Sequence, residues 1–328
     1  MRKTIILFLA LLMSALYGYA DENKSSLNVN SYLQFKTYFV APKDRWRNYA
    51  LVLNRSELAV FWEPNSIVNC LISIGDDEMM LGKSTIPKDV KFDFKASSLF
   101  VLSLGIHKLP FSWELLESDT DLDFINRSES VLAFAPYRMI GVQIAGETGF
   151  FEYVFRVSDS STSSYSYSFD DDNNKYVNGR IVFNFTNWFH FAISEFYSIS
   201  GAPNNTFKYY MVASAGELIL DFHPLVFKGE YLHGYPDNYF DIRSNFSGYT
   251  ETWYAQFGYT IFDDYELLLK WDHLWSSYDY VKNKYLLGVN YYYNKNLKLQ
   301  FNWEYNPVNP DERHKFIFQL QSDFDIKI

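Results

Sequence analysis

The strongest constraint on this chain is an alternation of apolar and polar residues that recurs over almost its whole length. Leu27, Val29, Leu33, Phe35 and Phe39 alternate with Asn28, Asn30, Gln34 and Lys36. Trp253, Ala255, Phe257, Tyr259 and Ile261 alternate with Tyr254, Gln256, Gly258 and Thr260. The same period holds from Glu266 to Asp272, from Leu297 to Tyr305 and from Lys315 to Ile328. A period of two puts one wet and one greasy face on a β-strand. No window sustains the spacing of an amphipathic helix, so the chain reads as all-β.

Turn signals separate the segments: Glu63–Ser66, Gly201–Asn205, Asp221–Pro224, Tyr293–Lys295 with Asn296, and Asn306–Glu312. Every proline lies in such a gap or in one long insert, as a fully paired sheet requires. The pattern predicts about sixteen strands, near 26–40, 48–62, 65–75, 90–96, 99–107, 138–146, 149–158, 177–187, 188–199, 207–222, 223–234, 249–263, 264–277, 282–293, 295–305 and 314–328. An even number of antiparallel strands of about ten residues or more is what closes and spans a bacterial outer-membrane barrel. A soluble sandwich uses shorter strands and covers its greasy face with a second sheet. Here the wet faces carry Lys, Glu, Asp and Gln in mid-strand, as the wall of a water-filled lumen does. Tyr and Trp crowd the segment ends (Trp46, Trp62, Trp188, Tyr197, Trp253, Trp275, Tyr291 and Tyr293), as an interfacial girdle does. With 27 Tyr, 30 Phe and 8 Trp the chain has rings enough for both a lipid-facing band and a girdle.

Residues 1–20 read as a secretory signal: Arg2 and Lys3, the apolar run Thr4–Met13, and the small residues Gly18 and Ala20 before Asp21. The expected organisation is therefore a signal peptide over 1–20 and an outer-membrane β-barrel over 21–328. Losing Arg2 and Lys3 moves the net charge from −10 to −12. So acidic a chain has no electrostatic claim on nucleic acid. Cys70 is alone, which excludes an intrachain disulfide and a cysteine metal cluster. The six histidines form no HExxH pair, and no GxSxG elbow occurs, so neither a metal nor a catalytic site is expected and no cofactor is implied. Asp170–Asp172, in the Ser-rich run from Ser158 to Lys175, read as a solvated loop.

One connection breaks the economy of the rest. From Gly105 to Gly146 the chain runs through about thirty irregular residues, mostly acidic but with the cations Lys108, Arg127 and Arg138. Long loops in a barrel of short turns are often functional. Folded inward, this one would narrow the lumen.

The same stretch resembles the phosphate-selective porin O and P family. The similarity rests on Gly105, Lys108, Pro110-Phe111-Ser112, Glu114, Phe124, Arg127-Ser128, Pro136, Arg138, Gly141-Val142 and Gly146, with looser support from Gly179-Arg180 and Lys228–Gly234. The resemblance implies a sixteen-stranded outer-membrane porin, usually a homotrimer, with an inward loop at the constriction and passive diffusion of small anions. Specialised members carry an arginine ladder and a lysine cluster in the lumen. This chain departs from them, with nine arginines after residue 20, Met139 where an acidic residue is common, and Ile328 as its last residue. Phosphate selectivity therefore does not carry over.

The candidate constriction and solute-binding residues are Lys108, Arg127 and Arg138 of the insert region, with Arg180, Lys270, Lys298 and Lys315 from wet strand faces. The expected partners are outer-membrane lipid and small hydrophilic or anionic solutes. The rival readings are a non-conducting barrel with an adhesive or structural role and a barrel-borne hydrolase.

Overall fold

A computed structural model describes residues 25–41, 47–48, 51–76, 86–134, 138–159, 175–199, 212–235, 249–277, 280–309 and 313–327. The signal segment, the tip of the Ser-rich loop, Trp46 and Pro136 lie outside the described residues.

The alternating segments are strands. They are β1 (Ser26–Ala41), the two-residue β2 (Arg47–Asn48), β3 (Val52–Glu63), β4 (Val68–Asp76), β5 (Ile86–Ser97), β6 (Phe100–His107), β7 (Met139–Glu147), β8 (Phe151–Asp159) and β9 (Lys175–Thr186). There follow β10 (Phe189–Ile199), β11 (Val212–Phe222), β12 (Leu225–Gly234), β13 (Thr250–Ile261), β14 (Tyr265–Ser276), β15 (Tyr280–Asn294), β16 (Leu297–Tyr305) and β17 (His314–Lys327). Leaving aside β2, which continues the β3 ladder along β1, sixteen long antiparallel strands pair in chain order. β17 pairs with β1 from Asn28↔Lys327 to Ala41↔His314, which closes the wall and leaves no free edge.

The apolar face of the alternation points outward. Leu33, Phe35, Leu104, Val142, Phe155, Ile193, Phe257, Leu269, Leu299 and Phe318 keep a third or more of their surface exposed outside the wall. The polar face is buried: Gln34, Arg55, Asn178, Asn290 and Gln319 are shielded inside the wall. This inversion of a soluble protein is the arrangement a bilayer demands. Short turns such as 148–150, 187–188 and 223–224 sit at one end, with the start of β1 and the end of β17. The insert leaves from the other, where β6 ends and β7 begins.

The expected strand positions hold closely. β5 begins earlier than expected, at Ile86, and takes in Pro87. The ladder with β4 shifts register between Ile72 and Ile74, opposite that proline, so the missing N–H falls at a bulge.

Candidate functional site

The insert between β6 and β7 is more ordered than its composition suggests. It holds two single-turn helices, α1 (Trp113–Leu116) and α2 (Glu129–Leu132). Three residues of the Pro-Phe-Ser pattern and its flanks have identifiable work. Gly105 adopts φ +132°, and a Cβ there would meet the Val90 carbonyl oxygen at 2.0 Å, so only glycine fits between β5 and β6. Ser112 takes φ +62°, rare for a residue with a side chain. It is held there by its hydroxyl, which accepts from Leu115 N–H and donates to Glu230 Oε2 at 2.6 Å. Phe111, almost fully buried, packs edge-on against Phe196 of β10.

Two charged latches and one apolar patch join the insert to polar-face positions of the strands. The first latch is centred on Asp119. Its carboxylate accepts from Arg127 Nη1 at 2.6 Å, from Tyr32 OH at 2.8 Å and from Lys88 Nζ at 3.2 Å, with Arg55 Nε at 3.9 Å. Arg55, Lys88 and Arg127 are themselves shielded from water. Gln34 donates to the Asp119 carbonyl and Arg55 to that of Ile125. The strands used are β1, β3 and β5. Burial alone would raise the Asp119 carboxyl, but Arg127, Arg55, Lys88 and Lys108 together hold it well below the usual carboxylate range.

The second latch is centred on two glutamates. Glu230 of β12 accepts from Ser112, from the Glu114 N–H at 2.7 Å and from Tyr254 OH at 2.7 Å. Glu114 in turn accepts from Lys270 of β14 and from the Ser128 N–H. Lys270 also lies 4.3 Å from the Tyr254 ring centroid. Nearby, Asp272 accepts from the Glu129 and Ser130 N–H groups at the start of α2, a favourable place for a carboxylate. Lys282 and Lys284 of β15 pair with Glu129.

Between the latches, Leu109, Phe111, Leu115, Val131 and Phe134 pack on Tyr176, Phe196, Ala213, Ala215, Leu232 and Leu274 of β9–β14. Small or apolar residues at these polar-face positions leave room for the insert. They are the places where the alternation of the strands is broken.

Each candidate cation has a partner. Lys108 donates to the Leu116 and Glu117 carbonyls, and Arg127 adds bonds to the Glu114 and Glu117 carbonyls to its ion pair with Asp119. Arg138 pairs with Asp89 at 2.9 Å. Arg180 meets Glu217 and stands over the Trp113 ring. Lys298 donates to the Leu122 carbonyl at 2.8 Å, and Lys315 lies over the Tyr38 ring. The structure thus brings Lys108 and Arg127 together around the chain turn at Glu117, while the other five stand on separate strands or strand ends. Sequence reasoning missed the acceptors, Asp119, Glu114 and Glu230 above all. The one signal available was that the insert is acidic where the wet strand faces opposite it carry Arg55, Lys88 and Lys270.

Two further insert carboxylates respond to this setting. Burial pushes Glu117 up to about 7, against the attraction of Lys228 and with Asp123 and Glu114 reinforcing the rise. Burial also acts to raise Asp123, yet Lys228 at 2.6 Å and a bond from Gln256 bring it below its ordinary value.

The insert itself, though not most of the strand residues that hold it, lies within the part of the chain that a known family shares. Over residues 77–198 the chain matches the phosphate-selective porin O and P family. The matched region contains the whole insert and its flanking strands, so the resemblance read from the spacing of Gly105, Pro110 and Arg138 is borne out. No curated protein matches the chain. Among solved structures the fold is similar to OmpF of Salmonella typhi in complex with daunomycin (TM-score 0.69, 10% identity, covering 91% of this chain and 97% of that one). It is also similar to an anion-selective porin from Comamonas acidovorans (TM-score 0.66, 9% identity, 92% and 100%). A third is the outer membrane channel DcaP of Acinetobacter baumannii (TM-score 0.64, 11% identity, 93% and 99%). At such identities the likeness is one of fold: a closed sixteen-stranded antiparallel barrel.

Proposed function

We propose that the chain is an outer-membrane porin for passive diffusion of small hydrophilic solutes, with the insert lying in the lumen and narrowing it. One observation carries this reading. Asp119 bonds to Lys88 on β5, while the Ser130 carbonyl accepts from Thr252 on β13 at 3.1 Å. β5 and β13 are eight strands apart in a wall of sixteen long strands. Opposite sides of a closed wall can both be reached by one short segment only from within. The porin fold and the family match over 77–198 support the same conclusion.

Four of the seven candidate cations, Arg127, Arg138, Arg180 and Lys270, each face a carboxylate, which weakens the field a constriction could use to choose anions. The solutes expected are small and hydrophilic, with weak charge preference rather than phosphate specificity. The rival is a barrel that does not conduct. What favours it is the apolar patch, which fills the space between the insert and β9–β14. Planar-bilayer recording of purified, refolded protein separates the two: a stable ohmic current is expected, and its absence would sink the porin reading. Cleavage after Ala20 and assembly as a homotrimer belong to the same proposal. N-terminal sequencing of exported protein and cross-linking in detergent test them.

A further inference from the structure

The insert does not hold the wall evenly. Its hydrogen bonds and ion pairs reach β1 at Tyr32, β3 at Arg55 and β5 at Lys88, and then β10 and β12–β17. Its apolar side covers Tyr176, Phe196, Ala213 and Ala215 of β9–β11. Among the described residues, no hydrogen bond or ion pair joins 109–134 to β4, β6, β7 or β8.

Exposure divides the lumen in the same way. On the side the insert holds, the inward residues Gln256, Asn290, Gln300 and Gln319 are buried. On β5–β8 the inward residues Asp93, Gln143 and Val154 are only half-buried. The Lys91 side chain keeps 26% of its surface, whereas Arg55, Lys88, Arg127 and Lys270 keep 1% or less. A cavity of ≈ 630 Å³ opens this side at the end with the short turns, between Lys95, Val101, Ala145 and Val154.

Three charged residues line that cavity: Lys95, Glu147 and Glu152. Glu152 accepts from the Asn184 amide at 2.9 Å. With the Asn69 amide turned to satisfy both its atoms, its oxygen accepts from Lys95 Nζ at 2.7 Å. Among the described residues no carboxylate lies within ion-pair distance of Lys95. Lys91 has Asp93 at 2.9 Å, so most of its field ends on its own strand. Lys95 is exposed, unpaired with any carboxylate of the described residues, and set in a low-dielectric wall that focuses its field into the cavity.

We propose that solutes pass between the insert and β4–β8, and that Lys95, rather than the insert's cations, sets which charge passes. Lys95 offsets a mouth that otherwise carries only Glu147 and Glu152, and so keeps that mouth from repelling small anions. The shielded cations of the latches fasten the insert and do not meet the solute. The inference deepens the porin reading and rests on it.

The test uses the full-length barrel in planar bilayers, in a Cys70→Ala background. Gln143→Cys and Gln319→Cys place one thiol on each side of the lumen. Each is treated with methanethiosulfonate ethylsulfonate, a charged thiol reagent that does not cross lipid. Gln143→Cys is expected to lose current on labelling, and Gln319→Cys to keep it. Lys95→Gln is expected to shift the reversal potential in a salt gradient toward cation preference. A current that labelling leaves unchanged at Gln143→Cys, or blocks at Gln319→Cys, overturns the path while the porin reading stands. An unshifted reversal potential in Lys95→Gln overturns the role of Lys95. Absence of current from the unlabelled protein overturns the porin reading itself, and the path with it.

Discussion

Replacing Asp119 by Asn removes one negative charge from a point where three shielded cations converge. The amide keeps the size of the carboxylate and can still accept from Tyr32, so shape is not what changes. Lys88 retains Glu57 at 2.7 Å, whereas Arg127 loses its only carboxylate among the described residues and Arg55 loses the charge 3.9 Å away. Leaving a buried charge without its partner costs about 3–5 kcal/mol. The insert can escape that cost by leaving the wall, because Arg127 then returns to water. Docked and undocked states should thus shift by about two to three and a half orders of magnitude, at 1.4 kcal/mol per tenfold. In single-channel recordings the variant is expected to show a larger mean conductance with fast flicker, and its β-barrel should still migrate as a folded species. Conductance, noise and ion preference all equal to the wild type would refute the argument, since a hub of this kind cannot be emptied of charge without consequence.

Phe111→Ala deletes the insert's edge-on ring contact with Phe196 of β10 and should cost about 3–5 kcal/mol of docking, read as a lowered temperature for the onset of channel noise. Glu117 is raised from 4.5 to about 7, so its neutral form is the one the folded insert favours. Docking stability is therefore full below its ordinary value and declines as pH rises through 7. From pH 6 to 8 the reversal potential in a salt gradient should move toward cation preference, and Glu117→Gln should flatten that change. Asp119 has the opposite sign: its contribution is full above the ordinary carboxylate value and is lost progressively as pH falls below that value toward the depressed one of the docked state. Arg138→Ala leaves Asp89 without its cation and should shift the reversal potential toward cations, whereas an unchanged potential would remove Arg138 from the ion path.

The sequence by itself determined the wall. Side chains alternate with period two in any extended strand, so the columns from Leu27 to Phe39 and from Trp253 to Ile261 disclose their two faces without any partner. Turn residues and prolines set the hairpins, and a band of greasy outward positions needs lipid and a closed edge. The insert's place and family likeness were equally legible, because Gly105, Pro110, Ser112 and Arg138 serve local geometry next to the strands they join.

Only the tertiary structure decided what the insert's charges do. Asp119 meets Tyr32 across 87 positions, and Ser112 meets Glu230 across 118. Such pairings depend on strand register and on the direction in which the loop turns, and neither leaves a periodic trace in the chain. The three cations that first distinguish this stretch need a partner when buried, and their partners come from wherever closure of the barrel brings an acceptor. That is why Lys108 and Arg127 could be recognised as unusual from the sequence, while their task of fastening the insert could be read only from the fold.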